Sequence, residues 1–242
     1  MTGRRKIIVL PDAEALALAA AERLIARIDR DSKPVAVCLT GGSTPIRLYQ
    51  LLGGIFRSRI PWPRVHWFMG DERFVPQSNP LSNMGAARRI FLHDCAPPKN
   101  IHAIDTDTKT PDIAAIAYEQ ELRIFQKSRD KQPLFDLVLM GAGPDGHTAS
   151  LFPNSSAIDE EEKWVVGVAN ANVEPFVPRV SLTLPALEST HEILFMACGG
   201  DKRDILNRIF NDERLPAARA HAIAGETVWL VDEAAAPQNL PR

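Results

Sequence analysis

The stretch GAGPDGHTASLFP, residues 141–153, sets His147 two positions after Asp145 among three glycines, directly behind the apolar run FDLVLM. An imidazole, with an intrinsic pKa of about 6.5, exchanges protons near neutrality, and a carboxylate at that spacing is placed to orient it. Such a pair suits activation of a water molecule by general-base catalysis. The same stretch contains a literal G-x-G-x-x-G. A dinucleotide fingerprint, however, opens a long amphipathic helix, usually in the first βα unit, with an acid about 20 residues on for the ribose. Here the unit falls late in the chain and Pro153 restricts the following helix to a short turn. A nicotinamide cofactor is therefore not expected, and the plain alternative is a tight glycine turn.

Further polar clusters carry complementary chemistry. In TGGSTP, residues 40–45, Gly41 and Gly42 let backbone N–H groups approach an anion, Ser43 and Thr44 add hydroxyls, and Pro45 sits where a helix would start. This is either a phosphate cradle or an ordinary capped βα turn. It is not a Walker A loop, because no Gly-Lys-Ser/Thr follows. GDER puts Asp71, Glu72 and Arg73 at a strand end, as solvated rim or as active-site chemistry. Arg179 opens RVSLTL, and Lys202 follows ACGGD in the first turn of a helix, where a cation opposes the macrodipole and calls for a nearby anion. Of the six histidines, His66 and His102 read as structural residues in strands, and His93, His191 and His221 lie in loops or helix ends without a motif.

Positioning these residues requires alternating strands and helices. From the N-cap Asp12 the segment AEALALAAAERLIARIDR reads as a helix packed on a sheet, and VAVCLT, residues 35–40, as a strand buried on both faces. TPIRLYQLLGGIF, SNMGAARRIFL, DIAAIAYEQELRIFQKS and DKRDILNRIF read as helices. RVHWFMG, NIHAI, FDLVLMG, WVVGVA, RVSLTL, EILFMAC and TVWLV read as strands. The pattern predicts an α/β fold with a mostly parallel, doubly wound sheet, interrupted over 151–191 by an antiparallel excursion. Ligands of such sheets sit beyond the carboxyl ends of the strands, where TGGSTP, GDER and GAGPDGH all fall.

Composition narrows the class. At 242 residues, 45% hydrophobic and 24% charged, the chain suits one domain spanning 1–242. A net charge of −2 offers no general attraction to nucleic acid or to an anionic membrane surface. Cys38, Cys95 and Cys198 are odd in number and far apart, which argues against disulfides and a zinc site and for a reducing, cytoplasmic setting. The basic opening MTGRRK followed by apolar residues resembles a leader, but Pro11, Asp12 and Glu14 interrupt it, so no export signal is read.

The pieces GGSTP at 41–45, DERFV at 71–75 with SN at 82–83, GAGPDGHTASLFP at 141–153, PRVSLT at 178–183 and GGDK at 199–202 occur in one order over nearly the whole chain. Together they resemble the 6-phosphogluconolactonases, within the family that also holds the glucosamine-6-phosphate deaminases. The resemblance implies a Rossmann-like αβα sandwich without nucleotide, cofactor or metal. It implies hydrolysis of 6-phospho-D-glucono-1,5-lactone to 6-phosphogluconate in the oxidative pentose phosphate pathway, by a monomer or weak homodimer with a small-molecule partner only. His147 matches the catalytic base, with Asp145 and Asp71 as active-site acids. Gly41, Gly42, Ser43, Thr44, Arg73, Arg179 and Lys202 match sugar-phosphate contacts. Deaminases of the family carry NEP where this chain has LFP, residues 151–153, and use that glutamate in ring opening; Phe152 cannot transfer a proton. A covalent route through Ser43 is the mechanistic competitor, without a G-x-S-x-G elbow to support it. A deaminase or isomerase acting on a related sugar phosphate, and a non-catalytic sugar-phosphate sensor, are the other functional readings.

Overall fold

A computed structural model describes residues 5–30 and 32–239. Its strands are β1 (Arg5–Leu10), β2 (Val35–Leu39), β3 (Val65–Met69), β4 (Asp71–Arg73), β5 (Leu137–Met140), β6 (Val165–Val168), β7 (Arg179–Leu182), β8 (Glu192–Ala197) and β9 (Glu226–Asp232). The helices are α1 (Ala13–Ile28), α2 (Pro45–Gly53), α3 (Asn83–Ala87), α4 (His93–Cys95), α5 (Pro111–Lys127), α6 (Leu184–Glu188), α7 (Arg203–Asn211) and α8 (Pro216–Arg219). A π-helical segment, Arg88–Leu92, joins α3 to α4.

Six strands form a parallel sheet in the order β1-β9-β8-β5-β2-β3. Both faces are covered, and the strand sequences show it. In β2, Val35, Val37 and Leu39 pack against α1 and α2, whereas Ala36 and Cys38 join the opposite core with α5 and α7. That strict alternation is the two-residue period of a strand lying between two apolar layers. β4, β7 and β6 make a separate antiparallel sheet, whose Val165, Val180 and Leu182 pack into the same core as Phe68, Val138 and Phe195 of the large sheet.

After β2 the chain moves outward to β3, then returns to the other side of β2 for β5 and continues away through β8 and β9. The strand order therefore reverses between β2 and β5. A crevice opens beyond the carboxyl ends of strands that diverge in this way, and it is the usual ligand position in open α/β sheets.

Several expectations need correction. NIHAI is not a strand: Asn100 ends a 3-10 turn, its amide donates to the carbonyls of Pro63 and Val65, and only Ile101 bridges Trp67. The antiparallel excursion is not confined to 151–191, because Asp71–Arg73, expected as a strand end, is itself a strand paired with Arg179–Ser181. No helical turn follows GAGPDGH; an isolated bridge between Thr148 and Leu151 takes its place. RKIIVL, which carries no expected element, forms the edge strand β1 against β9. The opening residues before Arg5 lie outside the described residues.

Candidate active site

TGGSTP forms the turn that leads from β2 into α2. Gly42 adopts a left-handed φ of 93°, which turns the chain out of β2 and into the helix. Thr44, at the N-cap, makes no side-chain capping bond, and the first turn of α2 carries no acidic residue. The orphan N–H groups of this helix start are thus not consumed by a side-chain cap. Tyr49 fixes the loop from behind: its hydroxyl donates to the Thr40 carbonyl at 2.7 Å and accepts from the Thr40 N–H at 3.1 Å.

After β5 the chain makes a compact glycine turn. Gly146 takes a φ of 88°, the Gly146 N–H donates to the Gly143 carbonyl, and the Gly143 N–H donates to the His147 carbonyl at 2.9 Å. The Thr148 hydroxyl ties the turn to Gly141 at 2.8 Å. These bonds fold His147 back over Gly143 so closely that a Cβ at 143 would lie 2.0–2.6 Å from three imidazole atoms. Glycine at 143 is thus required by the imidazole rather than by φ. The ring also meets Phe152, with centroids 4.8 Å apart at 53°.

Asp145 lies 2.6 Å from Nδ1 of His147 and also accepts the His147 backbone N–H at 3.1 Å. Partial burial works to raise the Asp145 pKa, but the hydrogen bonds and charge of His147 outweigh it and hold the carboxyl below its ordinary value. An ionised partner on Nδ1 makes that nitrogen the donor and leaves the Nε2 lone pair available as an acceptor. Nε2 makes no hydrogen bond to any described residue.

The second sheet contributes the opposite wall. Arg179 is buried, and its guanidinium donates to the carbonyls of Pro175 and Val177, which pins the segment carrying Val173 and Glu174. Burial draws its pKa down and the neighbouring Asp71 charge opposes this; arginine remains a cation throughout the usual pH range. Asp71 accepts from the Ser150 hydroxyl at 2.6 Å. Arg73 donates to the Leu81 carbonyl and leaves a buried Nε without a partner. Lys202, at the N-cap of α7, donates to the Ala142 carbonyl at 3.1 Å, which brings the ammonium to the His147 loop.

Glu72, between Asp71 and Arg73, faces away from this wall. Its two oxygens accept from the N–H groups of Arg73, Asn83 and Met84 and from the Ser82 hydroxyl. Burial raises its pKa against those bonds, yet every lone-pair position meets a donor, so the carboxylate is the form bound. It anchors the start of α3, a structural role.

A cavity of about 380 Å³ opens between these walls. It is lined by Gly41, Gly42, Ser43, Thr44, Asp71, Arg73, His147, Arg179 and Lys202. Asp145 alone among the expected residues stands behind the lining, in contact with His147. Sequence reasoning does not single out Asn83, Ser150 or Glu174. Asn83 and Ser150 lie inside the quoted motifs, but nothing in their spacing marks which side chains turn inward. Among the described residues no group of three His, Cys, Asp or Glu side chains is arranged to hold a metal ion.

The model of the glucosamine-6-phosphate isomerases/6-phosphogluconolactonase family matches residues 11–229. The chain belongs to this family. A 6-phosphogluconolactonase of Nostoc sp. is 34% identical over 96% of this chain and 97% of its own length. One from Streptomyces coelicolor is 37% identical over 100% of this chain and 97% of its own. The crystal structure of 6-phosphogluconolactonase from Thermotoga maritima superposes with a TM-score of 0.82 at 31% identity, covering 95% of this chain and 100% of that one. The αβα layers, the parallel sheet and the small antiparallel sheet are therefore family features that place the cavity at the switch point.

Proposed function

We propose that the protein hydrolyses 6-phospho-D-glucono-1,5-lactone to 6-phosphogluconate, the lactone-opening step of the oxidative pentose phosphate pathway. The observation that carries this reading is the cavity itself: one imidazole backed by a carboxylate, and cations with an uncapped helix start around the same space. A δ-lactone is an activated ester, so its hydrolysis needs a positioned water, a base and donors for the developing oxyanion. Neutral His147 takes a proton from water through Nε2 as the oxygen attacks C1. Asp145 stabilises the imidazolium that results, and the proton passes to the ring oxygen as the C1–O5 bond breaks. Arg179, Lys202 and the 41–44 loop hold the phosphate, Arg73 and Asp71 position the sugar, and no metal or cofactor takes part.

Phe152 supports the lactonase over the deaminase. It is 1% exposed and packed on His147, so the position matched to the deaminase glutamate offers an apolar ring to the base. Ser43 lines the cavity from the loop before α2, which suits a phosphate contact better than a nucleophile. In this reading one catalytic domain over 1–242 acts as a monomer or weak homodimer. No helix among the described residues is long and apolar enough to cross a membrane, and the three cysteines are free thiols, as a cytoplasmic setting would leave them.

The test is hydrolysis of freshly generated phosphogluconolactone, followed by an enzyme that oxidises 6-phosphogluconate. Turnover well above the spontaneous rate is expected. Binding without turnover would make the protein a sensor, and release of ammonia from hexosamine 6-phosphate would make it a deaminase.

A further inference from the structure

The Ser82-Asn83 pair belongs to the family motifs, yet only Ser82 has so far found a use, as the N-cap of α3. Asn83 is 5% exposed and lines the cavity. Its backbone N–H is held by Glu72 at 2.7 Å, and its side-chain Nδ2 donates to the Asp71 carbonyl at 2.9 Å. The amide also lies flat on Gly41: a Cβ there would fall 2.1–2.5 Å from Oδ1, Cγ and Nδ2. Backbone, amide nitrogen and amide face are each fixed, so the side chain has one orientation. The Asp71 carbonyl can only accept, which assigns the nitrogen to that side and makes the other amide atom the oxygen.

Asn83 Oδ1 has no hydrogen-bond partner among the described residues, and it is not among the sealed-off polar atoms either. It is a rigid acceptor open to the cavity. The chemistry of the ligand then decides what it meets. On the reading of the preceding subsection, the substrate presents a phosphate, a lactone carbonyl and a ring oxygen, all of which only accept. Its donors are the hydroxyls on C2, C3 and C4. We propose that Asn83 is a specificity-determining residue whose Oδ1 accepts a hydrogen bond from one ring hydroxyl of the phosphosugar lactone. The donor-rich cations then read the phosphate, and the amide oxygen on Asp71 reads the sugar.

This inference rests on the lactonase reading, and the experiment separates the two. The 2-deoxy, 3-deoxy and 4-deoxy analogues of the phosphorylated lactone are compared with the parent in the wild type and in Asn83→Ala. One analogue should lose about 3- to 10-fold in kcat/KM in the wild type, the worth of a neutral hydrogen bond. In Asn83→Ala that same penalty should vanish, while any loss shown by the other two analogues persists. Because each comparison is made within one variant, a general loss of active protein cancels. A merely structural Asn83 would slow all four substrates equally and leave every deoxy penalty in place, which overturns the proposal. If Asn83→Ala fails to fold, the wild type still decides: equal turnover of all three analogues and the parent overturns it. Absence of turnover on the parent lactone overturns the lactonase reading itself.

Discussion

At the scale of single residues, the candidate chemistry divides between a base and an anchor. His147 has one nitrogen committed to Asp145 and the other uncommitted. His147→Ala should fold normally and turn over roughly 10²–10⁴ times more slowly, the usual worth of general acid–base catalysis. Near wild-type turnover in that variant would refute the base. Lys202 spends one hydrogen on Ala142 and keeps two for a ligand. A charge-assisted contact is worth about 1.5–3 kcal/mol, so Lys202→Ala should lower kcat/KM roughly 10- to 150-fold. The loss should fall mainly on KM, because an anchor equally strong in ground and transition states leaves kcat alone. Hydrolysis of unphosphorylated gluconolactone is the control; an equal loss there would move Lys202 from the phosphate to the lactone. Lys202 is the cleaner probe than Arg179, whose removal would also release the carbonyls of Pro175 and Val177.

At the scale of elements, the site depends on how closely loops approach one another. Asn83 lies on Gly41 and His147 lies on Gly143, so each glycine is the floor for a polar side chain from elsewhere or from the same turn. Gly143→Ala would push the imidazole off Asp145 while leaving β5 and the cation-bearing walls in place. Turnover at saturating substrate should then slow by about tenfold or more, on the order of a misplaced general base, with KM and melting temperature close to wild type. A matching rise in KM would show that the whole cavity had moved. Glu72 explains why α3 can begin beside the cavity: its carboxylate takes two of the helix's orphan N–H groups and the cap hydroxyl.

At the scale of the molecule, charge is nearly balanced, at −2 overall, and the strong electrostatics are local. One local cluster lies away from the cavity and contributes to acid stability. His66 bonds His102 at 2.9 Å, and His102 bonds Glu121 at 2.5 Å. Burial first, then the charges of His102, Arg129 and Lys99, lower the His66 pKa to about 4. The unfolded chain takes up that proton near pH 6.5 and the folded one only near 4, so the unfolded state binds more protons between those values. Stability therefore rises with pH across this window and is lost on acidification through it. Allowing for the half-exposed ring, the effect is about 1–2 kcal/mol. Denaturation midpoints from pH 7.5 to 4.5 check this, with His66→Gln expected to flatten the acid limb. An unchanged slope would assign the acid loss to other groups.

How much of this is legible in the chain follows from the range of the interactions involved. Apolar runs with a two-residue or helical period give away β2, β3, β5, β8, β9, α1 and α5, because burial on known faces leaves a local pattern. The loops carrying Gly41–Thr44 and His147 are readable too, since turn chemistry is written in consecutive residues. NIHAI misleads because an apolar run of that length suits a strand or a connector equally, and Asn100 spends its amide on the carbonyls of Pro63 and Val65 at the entry to β3. RKIIVL is obscured by its resemblance to a leader and by lying at a half-buried edge. What no local pattern contains is the pairing of β4 with β7, the approach of Asn83 to Gly41, or the turning of Glu72 away from the cavity onto the start of α3. The sequence by itself determined the layers and the kinds of chemistry available. Tertiary structure alone decided which side chains share one cavity, because that depends on where distant strands end once the two cores have packed.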